Sequence, residues 1–296
     1  MVCLIKLVKY DDLTLFKKDV IHFLEKDEAE NNLALGVLQS LTEKDESPFL
    51  MAAVIKDDDL GLTILQTHPS QIILSNSVPF TSLEIQVIGE KLINTIQEIP
   101  GFVGEKELTT ELAFYIADIK GIHAHVQMNQ KIYKLEKVKK NTKSKGKLRK
   151  VKKNTKSKGK LRKVEEKDHN TIKDWVYQFC NEVKQPISLE EAIKKTKEMI
   201  HKGNLVAWEK YGKLVSMTYA TRPTKNNITI SYVYTPINER KKGYASDCVS
   251  AFTQLLLDRG YKTTSLYTDI SNPPSNKIYI QIGYEAIMDS VHILFK

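Results

Sequence analysis

The chain has 296 residues, 41% apolar and 27% charged, the composition of a soluble globular protein with room for two ordinary domains or one large one. No run approaches the roughly 18 apolar residues of a membrane span, and the N-terminal MVCLIKLVKYDD has too short an apolar run for a signal peptide. Three scattered cysteines, Cys3, Cys180 and Cys248, argue against a disulfide framework or a CxxC metal pair and suggest a reducing cytoplasm.

Asp11 and Asp12 open a helical pattern, with Leu13, Phe16, Val20 and Leu24 on one face. Leu33, Val37, Leu38 and Leu41 predict a second helix. Strands are expected at 49–56, 60–66 and 71–75, and a helix at 81–98 carries Leu83, Val87, Ile88 and Leu92. Strands near 112–118 and 131–136 complete a mixed α/β region over 1–136. Within it, His123 and His125 have strand spacing, but with no third ligand in view they predict no metal site.

Residues 137–149 read KVKKNTKSKGKLR, and 150–162 repeat it letter for letter. The two copies hold fourteen of the 45 Lys and Arg, so the remaining 31 face 36 Asp and Glu. The formal net charge of +9 therefore comes from one segment of an otherwise mildly acidic protein. A repeat this short is no solenoid. It reads as a duplicated, solvated linker over 137–159 rather than a nucleic-acid contact, with only one copy able to occupy a given place in the fold. The stretch from Gly159 to Val164 can serve as the first strand of a following domain, 160–296.

That domain is expected to run β, α, α, β, β, β, α, β, α, β. Helices lie around 168–184 and 188–201. Strands follow at 204–209, 213–221 and 227–235, then a helix at 243–259 closed by Gly260, a strand at 264–270, a short helix at 273–281 and a strand at 286–295. Cys248, Trp175 and Trp208 read as core, with Trp208 also a candidate wall of a binding cleft.

The turn between the strand ending at Thr235 and the helix starting at Gly243 is Arg240-Lys241-Lys242-Gly243-Tyr244-Ala245. Backbone amides at a helix N-terminus, low bulk at Gly243 and Ala245, a hydroxyl at Ser246 and three cations make a place for a phosphate. This turn matches R-x-x-G-x-G/A. With Tyr234-Thr235-Pro236 before it, and Asn272-Pro273-Pro274-Ser275-Asn276-Lys277-Ile278-Tyr279 and Ile282-Gly283-Tyr284 after it, the chain resembles the GNAT superfamily of N-acetyltransferases. The fold so implied is a twisted, partly antiparallel sheet flanked by helices. The region 1–136, which lacks the turn, looks like a degenerate copy.

The resemblance implies acetyl-coenzyme A as donor, its pyrophosphate on residues 240–246 and its pantetheine arm paired like a strand with Val233, Tyr234 and Thr235. Tyr279 matches the family's general acid toward the leaving sulfur. Asn272 matches a residue that binds the pantetheine or holds the loop, with Ser275 beside it. The oxyanion donor would be a backbone N–H at Val233 or Tyr234. The strand 229–234 has no carboxylate where many relatives carry a glutamate. Asp269, Glu209 or a water relay are then the options for a base, with Asp269 favoured. The expected acceptor is an amine on a small molecule or peptide, attacking the thioester directly in a ternary complex, by a monomer or homodimer without metal or membrane. The missing carboxylate leaves open a non-catalytic coenzyme A-binding or nucleic-acid-associated module.

Overall fold

The computed structural model describes residues 4–42, 47–139 and 159–296. The first half runs β1 (Ile5–Lys9), α1 (Leu13–Leu24), α2 (Asn32–Ser40), β2 (Leu50–Lys56), β3 (Asp59–His68), β4 (Gln71–Leu74), α3 (Ser82–Thr95), β5 (Gly101–Glu105), α4 (Lys106–Lys120) and β6 (Ala124–Leu135). The second runs β7 (Lys160–Lys163), α5 (His169–Glu182), α6 (Leu189–Lys202), β8 (Leu205–Lys210), β9 (Lys213–Thr221), β10 (Asn227–Tyr234), α7 (Tyr244–Asp258), β11 (Thr263–Asp269), α8 (Pro273–Ile282) and β12 (Glu285–Phe295). Apart from short 3-10 turns, the two halves have the same element order. Most of the duplicated basic run, 140–158, and the expectation that one copy is looped out, lie outside the described residues.

Two differences from the sequence reading stand out. Residues 112–118 are not a strand but the middle of α4. Leu108, Leu112, Ala113, Ile116 and Ala117 are buried along one helical face, while Phe114 is half exposed. The Glu105 side chain caps this helix by accepting from the amides of Glu107 and Leu108, and Gly121 ends it at a φ of +64°. The strand of that region is instead β5, whose GFVGE carries too few apolar residues to announce itself. The strand expected at 131–136 is the far end of the much longer β6.

All twelve strands form one sheet, in the order β1-β2-β3-β4-β5-β12-β6-β11-β10-β9-β8-β7. The last strand of each half has changed sides. β6 lies antiparallel to β11, from Thr264↔Leu135 to Asp269↔Gln130. β12 lies antiparallel to β5, from Ser290↔Glu105 to Leu294↔Gly101. β6 and β12 pair with each other along almost their whole length and fuse the two sheets. Three antiparallel steps separate β5 from β11, so these two strands run in opposite directions and their C-terminal ends, Glu105 and Asp269, both come level with the Gln130–Ser290 pair.

Alternation along the strands sorts the helices. In β2, Ala52 and Val54 face the core under α3 and α4, and Met51 and Ala53 the one under α1 and α2. In β8, Val206 packs in the core under α7 and α8, and Leu205 and Ala207 in the one under α5 and α6. The Asn32 side chain of α2 accepts a hydrogen bond from Thr229 of β10, whose neighbours Ile228 and Ile230 point at α7. Helices α1, α2, α5 and α6 thus share one face.

A buried polar joint ties the halves on that face. Glu28, in the turn between α1 and α2, accepts from the Thr224 hydroxyl, from the Asn226 amide at 2.8 Å and side chain, and from the Asn227 amide at 3.1 Å. Asn32 accepts from Arg222 Nε at 2.9 Å and donates to the Arg222 carbonyl at 3.1 Å. The Arg222 guanidinium lies 5.2 Å from the centre of the Tyr267 ring. A groove of about 420 Å³ opens at this joint, lined by Glu25, Asp27, Glu30, Lys134 and Lys262, at the N-terminal ends of β10 and β11. Among the described residues no helix is long and apolar enough to cross a membrane.

Candidate functional site

The site is built where β10 and β11 stop being neighbours. They pair in parallel only from Asn227↔Thr263 to Ile230↔Leu266. Beyond that, β10 stays on β9 to Tyr234 and β11 stays on β6 to Asp269. The cause is a bulge. Ser231 sits opposite Tyr219 and Tyr234 opposite Met217, three steps on β10 against two on β9, with Tyr232 at a φ of +49°. An extra residue bends a strand, and here two parallel strands are splayed, leaving facing peptide groups of 231–234 and 267–269 without a ladder.

Several contacts hold the bulge. The Tyr232 ring packs on Phe179 of α5, with ring centres 4.8 Å apart, and Nζ of Lys195 of α6 lies 5.9 Å from the Tyr232 ring centre. Burial, with Cys180 beside it, pushes the Tyr232 phenol well above its ordinary range. Tyr234 is buried at 3% exposure, packs against Trp175 and donates from its hydroxyl to Gln178 at 2.5 Å. Thr235 donates to the Ser216 hydroxyl at 2.9 Å, and Ser216 in turn donates to the Tyr234 carbonyl at 3.1 Å. Val233 is partly buried against the α7 core.

At the open end of this splay sits the first turn of α7. Gly243 is its N-cap at a φ of +85°, and no side chain caps the helix there. Glycine takes this backbone conformation at least cost, and a glycine cap leaves the first amides to another acceptor. Lys241 has a φ of +62° and is exposed, as is Lys242, which pairs with Glu239 at 2.9 Å. Ala245 and Ser246 are partly exposed on the first turn.

Arg240 turns back toward the protein. Its Nε donates to the Thr235 carbonyl at 2.9 Å, its terminal nitrogen to both Glu182 oxygens at 2.6 and 2.8 Å, and its guanidinium lies 5.7 Å from the Tyr234 ring centre. It braces the loop against β10 and α5. Lys210, at the end of β8, adds a cation the sequence reading missed. It donates to the Tyr244 hydroxyl at 2.9 Å and lies 5.2 Å from the ring centres of Tyr211 and Tyr244. It stands thirty positions before the loop, so only the fold brings it there.

The other side of the splay is the start of α8. Asn272 caps this helix, accepting from the Ser275 amide at 3.3 Å ahead of Pro273 and Pro274. Asp269 ends β11, and its Oδ1 accepts from the Ser271 amide at 2.7 Å. Tyr279 is 7% exposed, in the core with Tyr133 and Tyr284 at ring-centre distances of 6.4 and 6.1 Å. Burial raises its phenol far above the ordinary tyrosine range.

Other candidates separate cleanly. Glu209 is held by Arg162 and by Lys160 at 3.1 Å; its hydrogen bonds to the two cations lower its pKa and make it a poor base. Trp208 is fully buried with Val215, Tyr244 and Cys248 on the α7 side, so it lines no cleft on the opposite face. Cys248 and Trp175 are core residues as expected. Among the described residues no group of three or more His, Cys, Asp or Glu is placed to hold a metal.

Comparison with known proteins bears on this arrangement. A family model described as GNAT acetyltransferase matches residues 107–289, more than half of the chain. No curated protein matches. Solved structures match over nearly the full length. An acetyltransferase of the GNAT family from Colwellia psychrerythraea is 12% identical, with 98% of this chain and 100% of that chain covered at a TM-score of 0.59. A GCN5-related N-acetyltransferase from Sphaerobacter thermophilus is 13% identical, with 98% and 95% covered at 0.59. A tandem GNAT protein from the clavulanic acid biosynthesis pathway is 10% identical, with 99% and 98% covered at 0.53. At such identities these likenesses establish the fold, and the tandem protein shares it over both halves.

Proposed function

The chain belongs to the GNAT acetyltransferase family, and on that premise we propose that it transfers an acetyl group from acetyl-coenzyme A to an amine by direct attack in a ternary complex. The donor site lies in residues 160–296, with 1–136 as a second domain that has lost coenzyme binding and 137–159 as the linker. One observation carries this reading: β10 and β11 separate beside an uncapped helix N-terminus flanked by Lys241 and Lys242. The pantetheine amides take the place of a missing strand along 233–235. The pyrophosphate meets the amides of 243–246.

In this reading the amine attacks the thioester carbon, the carbonyl electrons move to oxygen, and a backbone N–H at Val233 or Tyr234 stabilises the oxyanion. Collapse breaks the carbon–sulfur bond. A thiol titrates near pH 8.5, roughly, so the departing group is a thiolate of modest basicity. The Tyr279 phenol is a much weaker acid than a thiol. It therefore serves by donating a hydrogen bond to the sulfur rather than by fully surrendering its proton. In the same reading Asp269, at the end of β11, takes the amine's proton directly or through water.

Calorimetric titration with acetyl-coenzyme A tests the donor site, using the native chain beside an Arg240→Ala, Gly243→Asp double variant. Native binding should be saturable and fall about 100-fold or more in the variant, since an aspartate both caps α7 and repels the pyrophosphate. A folded native protein that does not bind, or a variant that binds equally well, overturns the reading. Turnover on a panel of amines, with Tyr279→Phe as control, then separates an enzyme from a coenzyme-binding module.

A further inference from the structure

We infer that Tyr133, on a strand contributed by the first half, is a positioning residue for the donor site in the second. The inference rests on the donor-site reading above and adds to it that the site is incomplete without the first half.

Strand β6 covers the edge that β11 would otherwise expose. The two pair over six positions, and the amide of Ile270 donates to the Asn129 carbonyl at 3.0 Å just past the end of β11. Tyr133, opposite Leu266 on this strand, is 4% exposed and belongs to the core under α7 and α8. Its hydroxyl donates to Asn276 Oδ1 at 3.1 Å. Asn276 Nδ2 donates to the Asp269 carbonyl at 3.2 Å and to the Asn272 carbonyl at 2.8 Å.

One side-chain amide therefore links β6, the end of β11 and the cap of α8. An amide has one acceptor end and one donor end, and which way it faces is set by its partners. With both carbonyls of 269 and 272 on the nitrogen, the oxygen must face Tyr133. Removing the phenol hydroxyl takes the donor from a partly buried acceptor and removes the restraint on the amide's orientation. The turn 269–272, with Asn272 at its end, and Ser275 after it are the residues that the donor-site reading sets on the pantetheine side of the splay. The ring of Tyr133 also packs on Tyr279, so the same residue sets both the start of α8 and the tyrosine at the end of its second turn.

The test uses the full chain as native protein, Tyr133→Phe, Asn276→Ala and the double variant, each titrated with acetyl-coenzyme A and with adenosine 3′,5′-bisphosphate. The second probe has the nucleotide end of coenzyme A without its arm. A positioning role predicts that each single variant loses about five- to tenfold in affinity for acetyl-coenzyme A, that the double variant is no worse than the weaker single, and that the bisphosphate binds all four equally. Equal loss for both probes, additive losses, or a Tyr133→Phe protein that melts lower yet binds acetyl-coenzyme A normally would overturn the inference. Should Tyr133→Phe fail to fold, Asn276→Ala, which keeps the core ring, decides by the same probe comparison. A native chain that binds neither probe overturns the donor site itself, a result distinct from all of these.

Discussion

Helices α3 and α7 occupy the same place in the two halves. Each follows the third strand of an antiparallel meander and begins where two parallel strands end. At α7 the cap is a glycine, the neighbouring side chains are lysines, and the parallel strands have parted. At α3 the corresponding features are closed. Thr81 accepts from the Glu84 amide at 3.3 Å and Glu84 accepts from the Thr81 amide at 2.7 Å, a reciprocal cap, and the Glu84 carboxylate pairs with Lys56 at 2.8 Å. The strands below also approach closely at one point. A Cβ placed on Gly104 of β5 would stand 2.9 Å from the Leu74 side chain and 3.1 Å from its carbonyl. An uncapped helix start and parted strands thus coincide in the second half, whereas in the first half the matching helix carries a reciprocal cap and Leu74 lies against Gly104.

If the first half were only a shield beside the second, loosening the joint between them would cost little. The structure predicts otherwise, and this is the largest effect expected. Glu28 is 9% exposed and takes hydrogen bonds from three residues of the second half. Glu28→Ala strands those donors and should destabilise the chain by about 2–4 kcal/mol in chemical denaturation. Burial works to raise the Glu28 pKa, but the hydrogen bonds from Thr224, Asn226 and Asn227 outweigh it and hold the group below its ordinary value. The sign follows. A carboxyl depressed in the folded state contributes stability above its unfolded pKa and loses it as pH falls through the folded one. The difference in melting temperature between native and Glu28→Ala proteins should therefore be full at pH 7 and shrink below about pH 4. A gap unchanged by acid would assign the loss to packing instead.

How far the sequence could see depends on which interactions were local. The loop from Arg240 to Ala245 was legible because a helix start, a glycine and three cations lie within six residues. Helices with an apolar face and a cap, such as the Ser188–Glu191 box ahead of α6, were legible for the same reason. The strand β5 and helix α4 were misread. Five residues with two glycines gave no apolar run, and ELAFYIADI has enough apolar and aromatic residues to pass for a strand. Nothing local announced the exchange of β6 and β12, since both strands have the same composition whichever sheet receives them. The bulge at Tyr232, the approach of Lys210 and the contact from Tyr133 to Asn276 were hidden for that reason. Each is a consequence of pairing between residues far apart in sequence. Asn272 was singled out by the motif and Asp269 as an acidic residue on the strand before it, but their hydrogen bonds within the turn could only come from coordinates.

The closed state of the first half can be probed at Gly104. Alanine there must displace Leu74 or Thr109, whose Oγ1 would be 2.7 Å from the new carbon. Overpacking of this kind costs about 1–3 kcal/mol. Since the strain falls between β4 and β5, the affinity for acetyl-coenzyme A should stay within about twofold of native while the denaturation midpoint falls. A large loss of affinity would mean that the first half's strands take part in the ligand site and would break the comparison.

The smallest effect tests whether capping alone distinguishes the halves. Thr81→Ala removes one arm of the reciprocal cap on α3 and should cost about 1 kcal/mol, the usual value of an N-cap side chain. It exposes an amide at a helix start, as at α7. It should nevertheless give the first half no affinity for coenzyme A, because the strands stay in contact where Leu74 meets Gly104 and leave the pantetheine arm no place there. The stoichiometry of acetyl-coenzyme A in calorimetry should stay at one per chain. A second equivalent bound by Thr81→Ala would show that the cap by itself had silenced a site, and that strand separation is a response to the ligand rather than a condition for it.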